Sequence, residues 1–160
     1  MKRIIAVAVV SATLWPVLAK AAKVDGRLAT AKKAYIVPID ELGDDKPVAV
    51  CVVSHLAAHT PLTAVDSKSD ADVVLRVKAH LPGQSARHAL GSMGGRPSGE
   101  LTAELTDGTK LWKDGAKLGS GWSWSAGTSI QNNQTTECAV ADELLDTLRN
   151  AMRKARDDNK

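Results

Sequence analysis

The stretch Asp72-Val73-Val74-Leu75-Arg76-Val77-Lys78-Ala79-His80-Leu81 puts Val73, Leu75, Val77 and Ala79 on one side of an extended chain and Val74, Arg76, Lys78 and His80 on the other. Alternation of period two with one apolar side predicts a strand lying on a core. Downstream, Glu100 to Thr106 alternates Leu101, Ala103 and Leu105 with Glu100, Thr102, Glu104 and Thr106, and Asp107-Gly108 leads into Lys110-Leu111-Trp112-Lys113. Asp-Gly supplies the backbone freedom that a tight hairpin requires. Asp114-Gly115 is expected to end the second strand. From Thr136 to Asp158, Cys138, Ala141, Leu145, Leu148, Met152 and Ala155 recur every three or four residues, which predicts an amphipathic helix. Its other face carries Asp142, Asp146, Arg149, Arg153 and Arg156.

Upstream of the alternating stretch, Ala34 to Ile39 reads as a first strand, with Pro38 suited to an edge or a strand end. Asp44 or Asp45 ahead of Pro47 has the chemistry of a helix start, an acid to cap free N–H groups and then proline in the first turn. Val48 to His59 fits both strand and helix. Its length, and the Thr60-Pro61 stop, favour helix. Pro61 to Asp66 offers a brief strand and Ser67 to Asp70 a polar turn. Pro82 to Gly99 is rich in glycine and has no period, so it reads as a long mobile loop. Gly119 to Thr128 reads as a strand end or a rigid loop, and no internal repeat is present. The order of elements predicts an α/β (α+β) two-layer sandwich, a mixed sheet of four or five strands with two helices on one face, spanning residues 34–158.

The 160 residues give room for one domain, and with no Phe, one Tyr and four Trp its core must be mainly aliphatic. Lys2 and Arg3 precede an apolar run from Ile4 to Leu18 that ends in Ala19, Ala21 and Ala22, the pattern of a secretory signal peptide over residues 1–21. The run is too short to cross a membrane, which takes about 20 apolar residues. Residues 1–21 hold three cations (Lys2, Arg3, Lys20) and no acid, so the processed chain carries 18 cations and 18 anions. A neutral domain has no long-range field to steer polyanions, which argues against nucleic acid as a partner. Residues 22–33 are small, charged and unpatterned, as in a flexible exposed leader. The expected location is the periplasm or the exterior.

Ser69-Asp70-Ala71-Asp72-Val73-Val74-Leu75-Arg76-Val77, the segment from Leu101 to Trp112 with its Asp-Gly turn, and the terminal helix together resemble small exported bacterial envelope domains. These are the N-terminal domain of the Tol-Pal translocation protein, the penicillin-binding-protein activator lipoproteins and the curli-secretion lipoprotein, and the resemblance spans residues 34–156. It implies an envelope assembly or accessory role without catalysis, and it carries over no functional residue. The chain departs from the lipoprotein members in lacking a cysteine at the end of the apolar run and in its loop over residues 82–99.

Several groups carry potential chemistry. His55 and His59, four apart on a helix, share a face and could both reach a metal, with His80 or His88 as a third ligand. Their spacing is that of a metalloprotease helix, but Leu56 stands where the general base is required, so they are expected to be ordinary boundary histidines without metal or cofactor. Gly91 to Arg96 lacks the lysine and the strand-to-helix context of a phosphate loop. Ser123 in Gly121-Trp122-Ser123-Trp124-Ser125 lacks the final glycine of a nucleophile elbow. With no carboxylate pair or triad in view, the chain is not expected to be an enzyme. Trp122 and Trp124, two apart on an extended segment, point the same way, and with Trp112 they either close the core or contact a ligand or partner. The expected role is therefore an exported envelope accessory protein with a protein partner; the alternative is a carbohydrate- or peptidoglycan-binding module using Trp122 and Trp124. Finally, Cys51 and Cys138 are the only cysteines, an even count in an exported chain. Each sits on the apolar stripe of its helix, so helices side by side on one face of the sheet would let them form a disulfide.

Overall fold

The structure is a computed structural model that describes residues 24–81, 96–118, 124–125, 128–129 and 135–159. A 3-10 turn at Gly26–Thr30 precedes strand β1 (Lys33–Pro38), helix α1 (Asp45–His59) and strand β2 (Thr63–Ala64). A second 3-10 turn at Lys68–Asp70 leads to β3 (Val73–His80), β4 (Ser98–Glu104) and β5 (Lys110–Lys117). Two short strands, β6 (Trp124–Ser125) and β7 (Thr128–Ser129), pair with each other before helix α2 (Thr136–Asp157).

The five longer-range strands form one mixed sheet in the order β2-β1-β3-β4-β5. β1 runs parallel to both its neighbours, with α1 as the crossover to β2, while β3, β4 and β5 are antiparallel. Alternation in β3 has the predicted outcome: Val73, Leu75 and Val77 join the core cluster with both helices, so the helices cover one face of the sheet. The expected two-layer α/β architecture is the one observed.

Asp72 fixes where β1 starts. Its Oδ2 accepts the backbone N–H of Lys32 at 2.8 Å and of Lys33 at 2.9 Å. Those two donors hold its carboxyl below the ordinary aspartate value. At the other end, the β1–β3 ladder stops at Pro38 opposite Val77. There the acids predicted to cap α1 do something else. Asp44 occupies the cap position without a side-chain cap bond. Its Oδ2 instead accepts Leu81 N–H at 2.7 Å, and buried Asp45 accepts Ala79 N–H at 2.6 Å and Asp40 N–H at 2.8 Å. Two carboxylates thus take over from the missing strand and accept part-buried backbone donors that the ladder no longer pairs.

Three further expectations are corrected. Within the segment read as an exposed leader, Leu28 is fully buried in the core, held by the 3-10 turn that Asp25 caps through Arg27 N–H at 2.9 Å. A single apolar anchor in a five-residue turn has no period to detect. Asp25 N–H also donates to Leu111 O at 3.0 Å, so this segment continues the sheet edge beside β5. Second, β4 begins at Ser98, inside the stretch assigned to the loop. A Cβ on Gly99 would lie 2.8 Å from both Val140 Cγ1 and Leu144 Cδ1, so glycine there admits α2 close against the strand. Third, β5 does not end at Asp114-Gly115; Gly115 pairs with Glu100 and the strand reaches Lys117. The ladder to β4 offsets the roughly 1 kcal/mol that glycine costs within a strand. Loop residues 82–95 lie outside the described residues.

The hairpin forms at Asp107-Gly108 with Gly108 at φ +89°, and Asp107 Oδ1 accepts Thr109 N–H at 2.8 Å. Trp112 is 5% exposed and faces Ala103 across the ladder, so it packs in the core, and the contact role considered for it has almost no surface to act from.

Candidate functional site

Helix α2 is stripe-patterned, and it buries that stripe: Ala141, Leu145, Leu148, Met152 and Ala155, widened by Val140, Leu144 and Ala151. Thr135 caps it, its side chain accepting Cys138 N–H at 3.4 Å. Helix α1 lies beside it. Cys51 and Cys138 are joined in a disulfide with Cα atoms 5.0 Å apart, as the side-by-side placement of the helices required.

One turn further along both helices, His55 Nδ1 meets Asp142 Oδ1 at 2.6 Å. Another turn on, His59 Nδ1 meets Asp146 Oδ1 at 3.1 Å, and His59 Nε2 lies 3.4 Å from Asp142 Oδ1. The partners in all three pairs are 87 residues apart, so the helices run parallel and in register, one cross-link per turn. An ionised carboxylate only accepts, so each Nδ1 in these bonds carries the proton. The two imidazoles stack at 6.4 Å between centroids with an 11° interplanar angle. Arg149 Nη2 lies 3.0 Å from Asp146 Oδ1 and balances the outermost carboxylate. His55, His59, Asp142 and Asp146 keep 34, 25, 23 and 43% of their side-chain surface, so water and small ions reach them.

His55 and His59 share a face as their spacing predicts, but neither His80 nor His88 is the third group placed beside them among the described residues. His80 sits at the far end of β3, with Lys78, Glu100 and Lys117 around an open groove of about 600 Å³ on the sheet, and His88 lies outside the described residues. The groups brought to the histidines are Asp142 and Asp146, which the helical pattern had assigned only to a polar face. A signal was present: Cys51, His55 and His59 have the same spacing as Cys138, Asp142 and Asp146. Once the cysteines are bonded, that spacing aligns the rest.

Of the other candidates, Trp122, Ser123 and Gly91 to Gly95 lie outside the described residues, and Trp124 is described only as strand backbone. The exposed large apolar side chains among the described residues are Ile39 (53%), Leu42 (99%), Val50 (62%) and Val53 (47%). All four belong to α1 or to the loop that leads into it. No helix among the described residues is long and apolar enough to cross a membrane.

No family model matches the chain, and no curated protein matches it. Similar solved structures include the PelC dodecamer from Paraburkholderia phytofirmans, at 16% identity and a TM-score of 0.44 over 82% of this chain and 93% of that one. Another is uncharacterized lipoprotein B from Nitrosomonas europaea, at 13% identity and a TM-score of 0.31 over 84% of this chain and 87% of that one.

Proposed function

We propose that this chain is exported and works in the bacterial envelope as an accessory protein that binds another protein through the outer face of α1, without catalysing a reaction. The observation that carries this reading is that the exposed large apolar side chains among the described residues, Ile39, Leu42, Val50 and Val53, all belong to α1 or its approach loop. Apolar surface scattered singly is ordinary, whereas apolar surface collected in one place marks a contact. The disulfide agrees with an oxidising compartment, and the apolar run after Lys2 and Arg3 supplies the route there.

A photo-crosslinking side chain placed at Val50 or Val53 of the exported chain, in a Gram-negative host, tests the proposal. A single adduct of defined mass is expected from both positions, none from Lys68 on the second 3-10 turn, and loss of the Val50 adduct when Val53→Asp is added. The reading fails if Val50, Val53 and Lys68 behave alike. It also fails if the protein stays in the cytoplasm with two free thiols.

A further inference from the structure

We propose that His55, His59 and Asp142 form a binding site for a divalent transition metal of the zinc class, with Asp146 as the residue that orients it. The ligand atoms of the three residues all lie within 4.8 Å of one another. In a tetrahedral zinc site with bonds of about 2.0–2.1 Å, ligand atoms stand about 3.3–3.5 Å apart. Small side-chain rotations on a fixed pair of helices bring one geometry to the other.

The donor set selects the class of ion. Two imidazoles and a carboxylate suit zinc, copper or nickel, whereas calcium and magnesium require six or more oxygens. His59 shows how the site is assembled. Its Nδ1 faces Asp146 at 3.1 Å and its Nε2 faces Asp142 at 3.4 Å, so in the neutral tautomer with the proton on Nδ1 the Nε2 lone pair is the one presented to an ion. A carboxylate that holds the far nitrogen of a ligating histidine fixes its tautomer and raises its basicity. On the other side, the ion would take the place of the proton shared by His55 Nδ1 and Asp142 Oδ1, and that proton would leave to solvent. The fourth position is left to water.

Two features separate this arrangement from a pair of hydrogen bonds that merely join two helices. Asp142 Oδ1 is approached by both histidines, at 2.6 and 3.4 Å, so the three side chains converge on one point. In addition, the Cys51–Cys138 bond one turn away fixes the helix register before any ion arrives. The site is preorganised, and the cysteines cannot compete for metal as thiolates.

The test is a titration of the exported, oxidised protein, carrying no affinity tag, with Zn2+ by calorimetry, and with Mg2+ as the comparison ion. Saturable binding of one Zn2+ per chain is expected, with no saturable uptake of Mg2+. His55→Ala/His59→Ala should abolish zinc binding, and Asp146→Asn should weaken it about 10–100-fold without changing its stoichiometry, with helical circular dichroism retained. His80→Ala should leave it unchanged. Absence of saturable zinc binding overturns the proposal, as does full binding retained by the double histidine variant with its helical circular dichroism intact. Loss of affinity on His80→Ala equal to that of the double variant would place the ion elsewhere and overturns it too.

Discussion

Helices α1 and α2 lie side by side on one sheet, yet they are held there by different means. α2 is positioned by burial: its apolar stripe faces the core and already says which side of the helix points inward. α1 has apolar side chains on both faces, Val48, Val52 and Leu56 buried but Val50 and Val53 exposed, so hydrophobicity alone does not choose which side points inward. Its orientation comes from contacts specific in geometry: Asp45 on the amide of Ala79 in β3 and Asp44 on that of Leu81 just beyond it, the disulfide, and the two histidine–aspartate pairs. A helix fixed by directed bonds can leave an apolar face free for something else.

The contrast is broken most directly at the disulfide. Replacing Cys51 and Cys138 by Ser should lower stability by about 4–5 kcal/mol, the chain-entropy value for a closed loop of this length, measured by urea unfolding against the oxidised parent. A loss under about 1 kcal/mol would show that the bridge contributes little and that α1 keeps its place through its other contacts. Next in size is Leu148→Ala on α2, expected to cost about 3 kcal/mol in the same assay, since it empties a fully buried site in the core. Asp45→Ala should cost about 1 kcal/mol, because it removes the acceptor that the part-buried amides of Ala79 and Asp40 share. Amide exchange at Ala79 should quicken in that variant; unchanged exchange would mean that the carboxylate does not hold the strand end.

Asp72 makes the same kind of bond in a more solvated place, and it sharpens the comparison through pH. Its carboxyl is held below the ordinary value of 3.8, so its contribution is present above that value and is lost as pH falls through the lower folded-state value. Asp72→Asn should therefore destabilise near neutrality by less than about 1 kcal/mol and match the parent once both are strongly acidified. A difference that persists in acid would assign the effect to packing. The smallest effect belongs to Val50→Ser, expected to change stability by under about 0.5 kcal/mol, since that side chain touches water. A larger loss would mean that the outer face of α1 contributes to folding.

What could be read from the sequence follows the same division. β3, the hairpin and α2 are legible because burial writes a period into Val73, Leu75 and Val77 or into Ala141, Leu145 and Leu148. The pairing of Cys51 with Cys138 is legible from the compartment and from where each cysteine falls on its stripe. Leu28 was hidden because one buried residue makes no pattern, and Gly99 because its role depends on α2, which arrives from far along the chain. Asp142 and Asp146 were hidden for a different reason. A polar helix face reads the same whether it meets water or a neighbouring helix, and only the bonded register distinguishes the two. Asp44 and Asp45 misled because a carboxylate serves a helix cap and a neighbouring strand end equally well, and the end of the β1 ladder decides between them.

Closing Cys51 to Cys138 also turns β2 through β7 into a covalent ring, while β1, from outside that ring, lies between two of its strands. Tension applied between the ends of the oxidised chain would pass from residue 51 to residue 138 through the sulfur bridge, and the backbone between them would carry none of it. The 87-residue separation amounts to about 300 Å of extended chain, which becomes available to a pulling force only when the bond is reduced. In mechanical terms the bridge is a bypass: the ends can be drawn apart while most of the sheet remains out of the path of the force.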